Sequence, residues 1–130
     1  MKKTIVITDD AAFMRGLLRN IIEQSDKYEV VGEASNGLEA VEIAKKLKPD
    51  ILTLDITMPQ LDGIQAVPEI LKVSPDTKII MVSAMGQQSM VIEAIKKGAK
   101  DFVTKPFEES RVLRALDNVL KDDKERNKDK

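Results

Sequence analysis

Cysteine, histidine and tryptophan are all absent from this 130-residue chain. Without cysteine there are no disulfides, no thiolate nucleophile and no iron–sulfur ligands. Without histidine there is no imidazole to bind zinc or to carry a phosphoryl group on the chain itself. One Tyr and three Phe make up the aromatics, so a core has to be built from Ile, Val, Leu, Met and Ala. Neither sign of charge dominates. Twenty-one Lys and Arg stand against 22 Asp and Glu, which leaves no net field to draw the chain to nucleic acid or anionic lipid. No apolar run approaches the ~18 residues of a membrane span. Met1-Lys2-Lys3 leads into a short strand-like run rather than a signal peptide, so a cytoplasmic protein is expected.

What is present is a repeating alternation. At 42% hydrophobic residues the chain has enough apolar surface for a core, and its length suits one domain. Short apolar runs recur five times: Ile5-Val6-Ile7, Val30-Val31, Ile51 to Leu54, Ile79 to Val82 and Phe102-Val103. They are mostly continuous rather than alternating, as strands covered on both faces are. Between and after them come apolar stripes at helical spacing. These are Met14, Leu17, Leu18 and Ile21; Ala40, Ile43, Ala44 and Leu47; Ile64, Val67 and Leu71; Val91, Ala94 and Ile95; and Val112, Ala115, Leu116, Val119 and Leu120. Asn36-Gly37 turns the chain into the second helix, Lys48-Pro49-Asp50 ends it, and Gly98 closes the fourth. Pro68 requires the third helix either to start near it or to kink there. From Lys121 onward nine of ten residues are charged, so residues 1–121 form the expected domain and 122–130 a frayed, flexible charged tail.

Five βα units imply an α/β protein, a doubly wound five-stranded parallel sheet with five helices. In such sheets ligands bind beyond the carboxyl ends of the strands. Those ends carry Asp9-Asp10, Asp55, Ser83-Ala84 and Thr104-Lys105-Pro106. Each has a plain structural reading. An Asp pair ahead of a helix is usually an N-cap, a strand-end Asp a turn former, a strand-end Ser a cap for the next helix, and a Lys a solvated charge. Their joint arrival on one face favours a site. Three carboxylates packed together repel, and a hard divalent cation such as Mg²⁺ resolves the conflict.

The stretch Asp55-Ile-Thr-Met-Pro-Gln-Leu-Asp-Gly63 resembles the phosphorylation loop of response-regulator receiver domains. With Asp9-Asp10, Ser83-Ala84 and Lys105-Pro106 it completes that family's set, over residues 4 to about 121. Ser83-Ala-Met-Gly-Gln-Gln and Asp101-Phe-Val-Thr-Lys-Pro-Phe107 look most like the stand-alone chemotaxis receivers of CheY type. The resemblance implies a flavodoxin-like strand order 2-1-3-4-5. It implies Asp55 as phosphoacceptor, and Asp10, Asp55 and the Thr57 backbone carbonyl as Mg²⁺ ligands, with Asp9 acting through water. Lys105, the Ser83 hydroxyl and the Ala84 N–H are then expected at the phosphoryl oxygens. Phe102 stands where the family more often has Tyr, and is expected either to switch or to be a plain core aromatic. Implied partners are a histidine kinase as phosphohistidine donor, a target protein such as the flagellar motor switch, and a phosphatase. Neither nucleic acid nor membrane is expected as a partner, and the chain is expected to be a monomer that is not an enzyme in its own right, although it catalyses its own phosphorylation and dephosphorylation.

Other readings order the same residues less well. A haloacid dehalogenase-type phosphohydrolase places its nucleophilic Asp first and its acidic pair last, the reverse of this chain. A flavodoxin-like flavin carrier needs aromatics, and Asp9-Asp10 would repel its phosphate. A phosphorylation-independent interaction module has no use for an intact acidic set and Lys105. A single-domain phosphorelay intermediate uses the same residues.

Overall fold

Every apolar run becomes a strand. A computed structural model describes residues 2–58 and 60–128, with side chains described as far as Lys121. The strands are β1 (Lys3–Thr8), β2 (Tyr28–Ala34), β3 (Ile51–Asp55), β4 (Lys78–Ser83) and β5 (Asp101–Thr104). Helices α1 (Ala12–Glu23), α2 (Gly37–Leu47), α3 (Gly63–Val73), α4 (Gln88–Lys97) and α5 (Glu109–Lys128) follow them in turn. The sheet is parallel throughout, in the order β2-β1-β3-β4-β5. That is the expected doubly wound, flavodoxin-like arrangement. No described helix is long and apolar enough to cross a membrane. Helix α5 runs to Lys128, and the rest of the charged tail, residues 129 and 130, lies outside the described residues.

The strands alternate their side chains between two cores. Val6, Leu52, Leu54, Ile79 and Met81 face one side, where Ala40, Ala44, Ala66, Val67, Ile70, Val91 and Ala94 cover them from α2, α3 and α4. Ile5, Ile7, Ile51, Ile80, Val82 and Val103 face the other, under Leu18, Ile22, Val112, Ala115, Leu116 and Val119 from α1 and α5. A fully buried side chain of this size contributes about 1.5–3 kcal/mol, and the core is mainly aliphatic, with Tyr28 a buried aromatic in the second cluster.

Two expectations change, and one open alternative is narrowed. Val31 is exposed rather than buried beside Val30, because the pairing steps from Ile5↔Val30 to Val6↔Gly32 and leaves Val31 as the extra residue of a bulge on the edge strand. On α1 the buried pair is Leu18 and Ile22, while Leu17 is exposed, so the true stripe is rotated from the one read off the spacing. Helix α3 starts at Gly63, ahead of Pro68, which lies inside it on the exposed side. A capping box fixes that start: Asp62 Oδ1 accepts from the Gln65 N–H at 2.8 Å and Gln65 Oε1 from the Asp62 N–H at 3.4 Å.

Candidate functional site

Main-chain bonds carry the sheet past the ends of the strands and set the positions of the site residues. Asp9 N–H donates to the Ala34 carbonyl at 3.1 Å, Ile56 N–H to Val82 at 3.1 Å, and Lys105 N–H to Ser83 at 2.8 Å. Each of these residues, or its neighbour, is therefore held at a fixed height above the sheet. The loop after Asp55 closes on itself. Gly63 N–H donates to the Ile56 carbonyl at 2.9 Å, and a Cβ at Gly63 would lie 2.2 Å from the Asp55 carbonyl oxygen. A Cβ at Gly37 would lie 2.0 Å from the Leu61 carbonyl oxygen, so the start of α2 presses on the same loop.

Asp9, Asp10 and Asp55 converge as expected, with one carboxylate oxygen from each within 4.8 Å of the others. Asp9 and Asp55 are buried and Asp10 is exposed. The acidic pair does not cap the free N–H groups of α1. Ala11 occupies the N-cap position without a side-chain cap, and Asp9 Oδ1 accepts from Ala11's own N–H at 2.9 Å. Lys105 joins the cluster, with Nζ 2.9 Å from Asp9 Oδ2 and 3.3 Å from Asp55 Oδ2. The Lys105–Pro106 peptide is cis. Ser83 is buried at the end of β4, next to the β3 strand that carries Asp55.

The electrostatics follow from three carboxylates facing one ammonium. Burial pushes the Asp55 carboxyl above the ordinary carboxylate range, and the Asp9 charge adds to that push against the pull of Lys105. Burial alone would weaken the Lys105 ammonium. The bond to Asp9 and the charges of Asp55 and Asp9 outweigh it and hold the Lys105 pKa above its usual value. The donors are all oxygens and their negative charge is only partly balanced, so the residues fit a hard divalent cation such as Mg²⁺.

Several contributors escaped the sequence reading. Arg15 Nη1 donates to the Asp9 carbonyl at 2.7 Å while its Nε bonds Glu33 at 2.8 Å, tying the turn after β1 to β2. Its only signal was a cation one turn beyond an acidic pair. Gln87 Oε1 accepts from the Ala84 N–H at 2.7 Å, and its Nε2 donates to Thr57 Oγ1 at 3.0 Å. Nothing in the spacing marked that contact. Phe102 lies outside the cluster. It is 38% exposed and so is not a core aromatic. Arg111 sits 5.7 Å from the ring centroid and donates to the Phe102 carbonyl at 2.7 Å and to Asp101 Oδ1 at 3.2 Å.

Comparison with known proteins agrees with this fold. The family described as response regulator receiver domain matches residues 5–117. The chemotaxis protein CheY of Thermotoga maritima is 62% identical over 121 residues, covering 93% of this chain and 100% of that protein. The response regulator domain of Thermotoga maritima CheB superposes with a TM-score of 0.81 at 40% identity, over 93% of this chain and 96% of that one. The CheX–CheY–BeF₃–Mg²⁺ complex of Borrelia burgdorferi gives 0.84 at 34% identity, over 91% and 89%.

Proposed function

The chain belongs to the response-regulator receiver family, and from that membership we propose that it is a chemotaxis response regulator that takes a phosphoryl group on Asp55. One observation carries the reading. Asp55 is a buried carboxylate at the end of β3, with Lys105 spanning it and Asp9. The order of the acidic residues and the family match leave the dehalogenase-type hydrolase without support.

In this reading an Asp55 carboxylate oxygen attacks the phosphorus of a phosphohistidine on a partner kinase. The P–O bond forms as the P–N bond breaks, and the imidazole leaves. Asp10, Asp55 and the Thr57 carbonyl would hold Mg²⁺, with Asp9 acting through water, and the ion would supply positive charge against the phosphoryl oxygens. Lys105 gives a second fixed charge, while the Ser83 hydroxyl and the Ala84 N–H donate hydrogen bonds. The small Ala84 side chain leaves room for the group. Ser83 moving toward the phosphoryl oxygens vacates space for Phe102 to turn inward, which shifts the population of the α4-β5-α5 surface. The resemblance to chemotaxis CheY points to the flagellar motor switch as the target of that surface. The structural likeness to a CheX–CheY complex points to a phosphatase that resets it. We place the monomeric chain in the cytoplasm, where such kinases present their phosphohistidine.

Acetyl phosphate with Mg²⁺ is expected to add one phosphoryl group, read by intact mass, and Asp55→Asn to abolish the addition. Equal labelling of the Asn variant would overturn the assignment.

A further inference from the structure

We propose that Gln87 is a positioning residue of the acceptor site, whose carboxamide has to leave a bridge between Ala84 and Thr57 before a group on Asp55 can use the Ala84 N–H. The inference rests on the reading of Asp55 as phosphoacceptor and deepens it.

The bridge has one orientation. The Ala84 N–H is a donor only, so the atom 2.7 Å from it is the Gln87 oxygen. That fixes the amide nitrogen on the other side, 3.0 Å from Thr57 Oγ1, which accepts. Both ends of the carboxamide are thereby engaged, one on the loop after β4 and one on the loop after β3. The local backbone makes this reach possible. Gly86, between Ala84 and Gln87, has φ +86°, a conformation that turns the chain back and that side chains resist. Gln87 is the N-cap of α4, yet its side chain makes no cap bond to the helix and reaches back to Ala84 and Thr57 instead.

The consequence is competition for one donor. A phosphoryl oxygen on Asp55 and the Gln87 oxygen both need the Ala84 N–H. A charged acceptor makes a hydrogen bond roughly twice as strong as a neutral one, so the phosphoryl group wins, but against the loss of two amide bonds. Gln87 thus lowers the site's affinity for the group and ties its arrival to release of the loop leading into α4. Thr57 takes part through its hydroxyl, a role separate from the one given to its carbonyl.

The test uses the full-length ¹⁵N-labelled chain with saturating Mg²⁺, titrated with beryllofluoride as the phosphoryl probe. Gln87→Met keeps the side chain's length and removes both bonds, and Gln87→Ala serves as a second variant against loss of packing. Both are expected to bind beryllofluoride about two- to tenfold more tightly than wild type, the range set by the net worth of such hydrogen bonds. In the wild type the Gln87 side-chain NH₂ resonances are expected to move to solvent-like values as the probe saturates. Thr57→Val should tighten binding less, and combined with Gln87→Met should add nothing further, because the two residues share one bridge. Unchanged or weaker binding in both Gln87 variants, with unmoved Gln87 resonances, overturns the proposal while the acceptor assignment stands. A wild type that gives no saturable response at all, or responds like Asp55→Asn, removes the acceptor assignment itself.

Discussion

Gly63 has no space for a side chain, and the reason lies in the site rather than in its own backbone angles. A Cβ there would be 2.2 Å from the Asp55 carbonyl oxygen and 2.9 Å from the Ile56 Cα. Both contacts are with main chain, which cannot swing aside as a flexible side chain would. Gly63→Ala must therefore push α3 away from the end of β3 and misplace the loop that carries Thr57. Overpacking of this kind costs ~1–3 kcal/mol. The expected result is a lower urea midpoint together with much weaker phosphoryl uptake from acetyl phosphate. Unchanged uptake would show that the loop's closure on Asp55 is dispensable. At this scale the sequence was legible where a residue's chemistry is unusual for its place, as with Asp55 and Lys105. It was silent where the role arises from a neighbour. Arg15, Gln87 and Arg111 are ordinary polar residues until the chain folds a main-chain carbonyl, an N–H or a ring against them.

Among the polar ties that join elements, one between β2 and α5 is sensitive to pH. The buried Tyr28 hydroxyl donates to Asp117 on α5. Burial is the larger cause and the Asp117 carboxylate the next in holding the phenol far above its ordinary pKa. In the unfolded chain the phenol titrates near its usual value of about 10. Above that pH the folded chain binds the proton that the unfolded chain has lost, so stability falls as pH rises. Tyr28→Phe lacks this loss. Wild type is expected to exceed the variant by about 1–2 kcal/mol at pH 8, since the hydrogen bond is charge-assisted but Asp117 is half exposed. That margin should shrink by about 1.4 kcal/mol at pH 11, as read from urea unfolding at the two pH values. A constant margin would rule out the phenol as the cause. Element boundaries were legible where a cap or a glycine enforces them, as at Asn36 and Gly98. For α3 the stripe from Ile64 points to a start ahead of Pro68 and the proline alone leaves it open; the Asp62–Gln65 box settles it at Gly63.

At the scale of the whole molecule, three carboxylates facing one ammonium sit at one rim of the sheet. Parallel strands all end on the same side, so the topology alone brings Asp9, Asp10 and Asp55 together. This is why the fold class and most of the site could be read from the order of a few strand-end residues. The cost is repulsion in the folded state, which a bound cation relieves. Mg²⁺ at ten times its Kd is expected to add about 1.4 kcal/mol to the unfolding free energy, and Asp10→Ala to lose most of that gain, measured by urea unfolding with and without Mg²⁺. Equal stabilisation of wild type and Asp10→Ala would mean that the ion binds elsewhere.

The bulge at Val31 has a bearing on how copies of the chain behave when crowded. A regular border strand offers an evenly spaced row of donors and acceptors to any extended segment that drifts alongside, which is the first step toward fibril-like stacking. Here β2 forms one border of the sheet, and the extra residue breaks its register against β1 midway along. Glu29 adds an exposed negative charge on one side of the break, while Glu33 on the other side is paired with Arg15 and Arg19. A second copy approaching edge-on meets an uneven margin. The same irregularity that exposes Val31 thus interrupts the even row that such stacking would need.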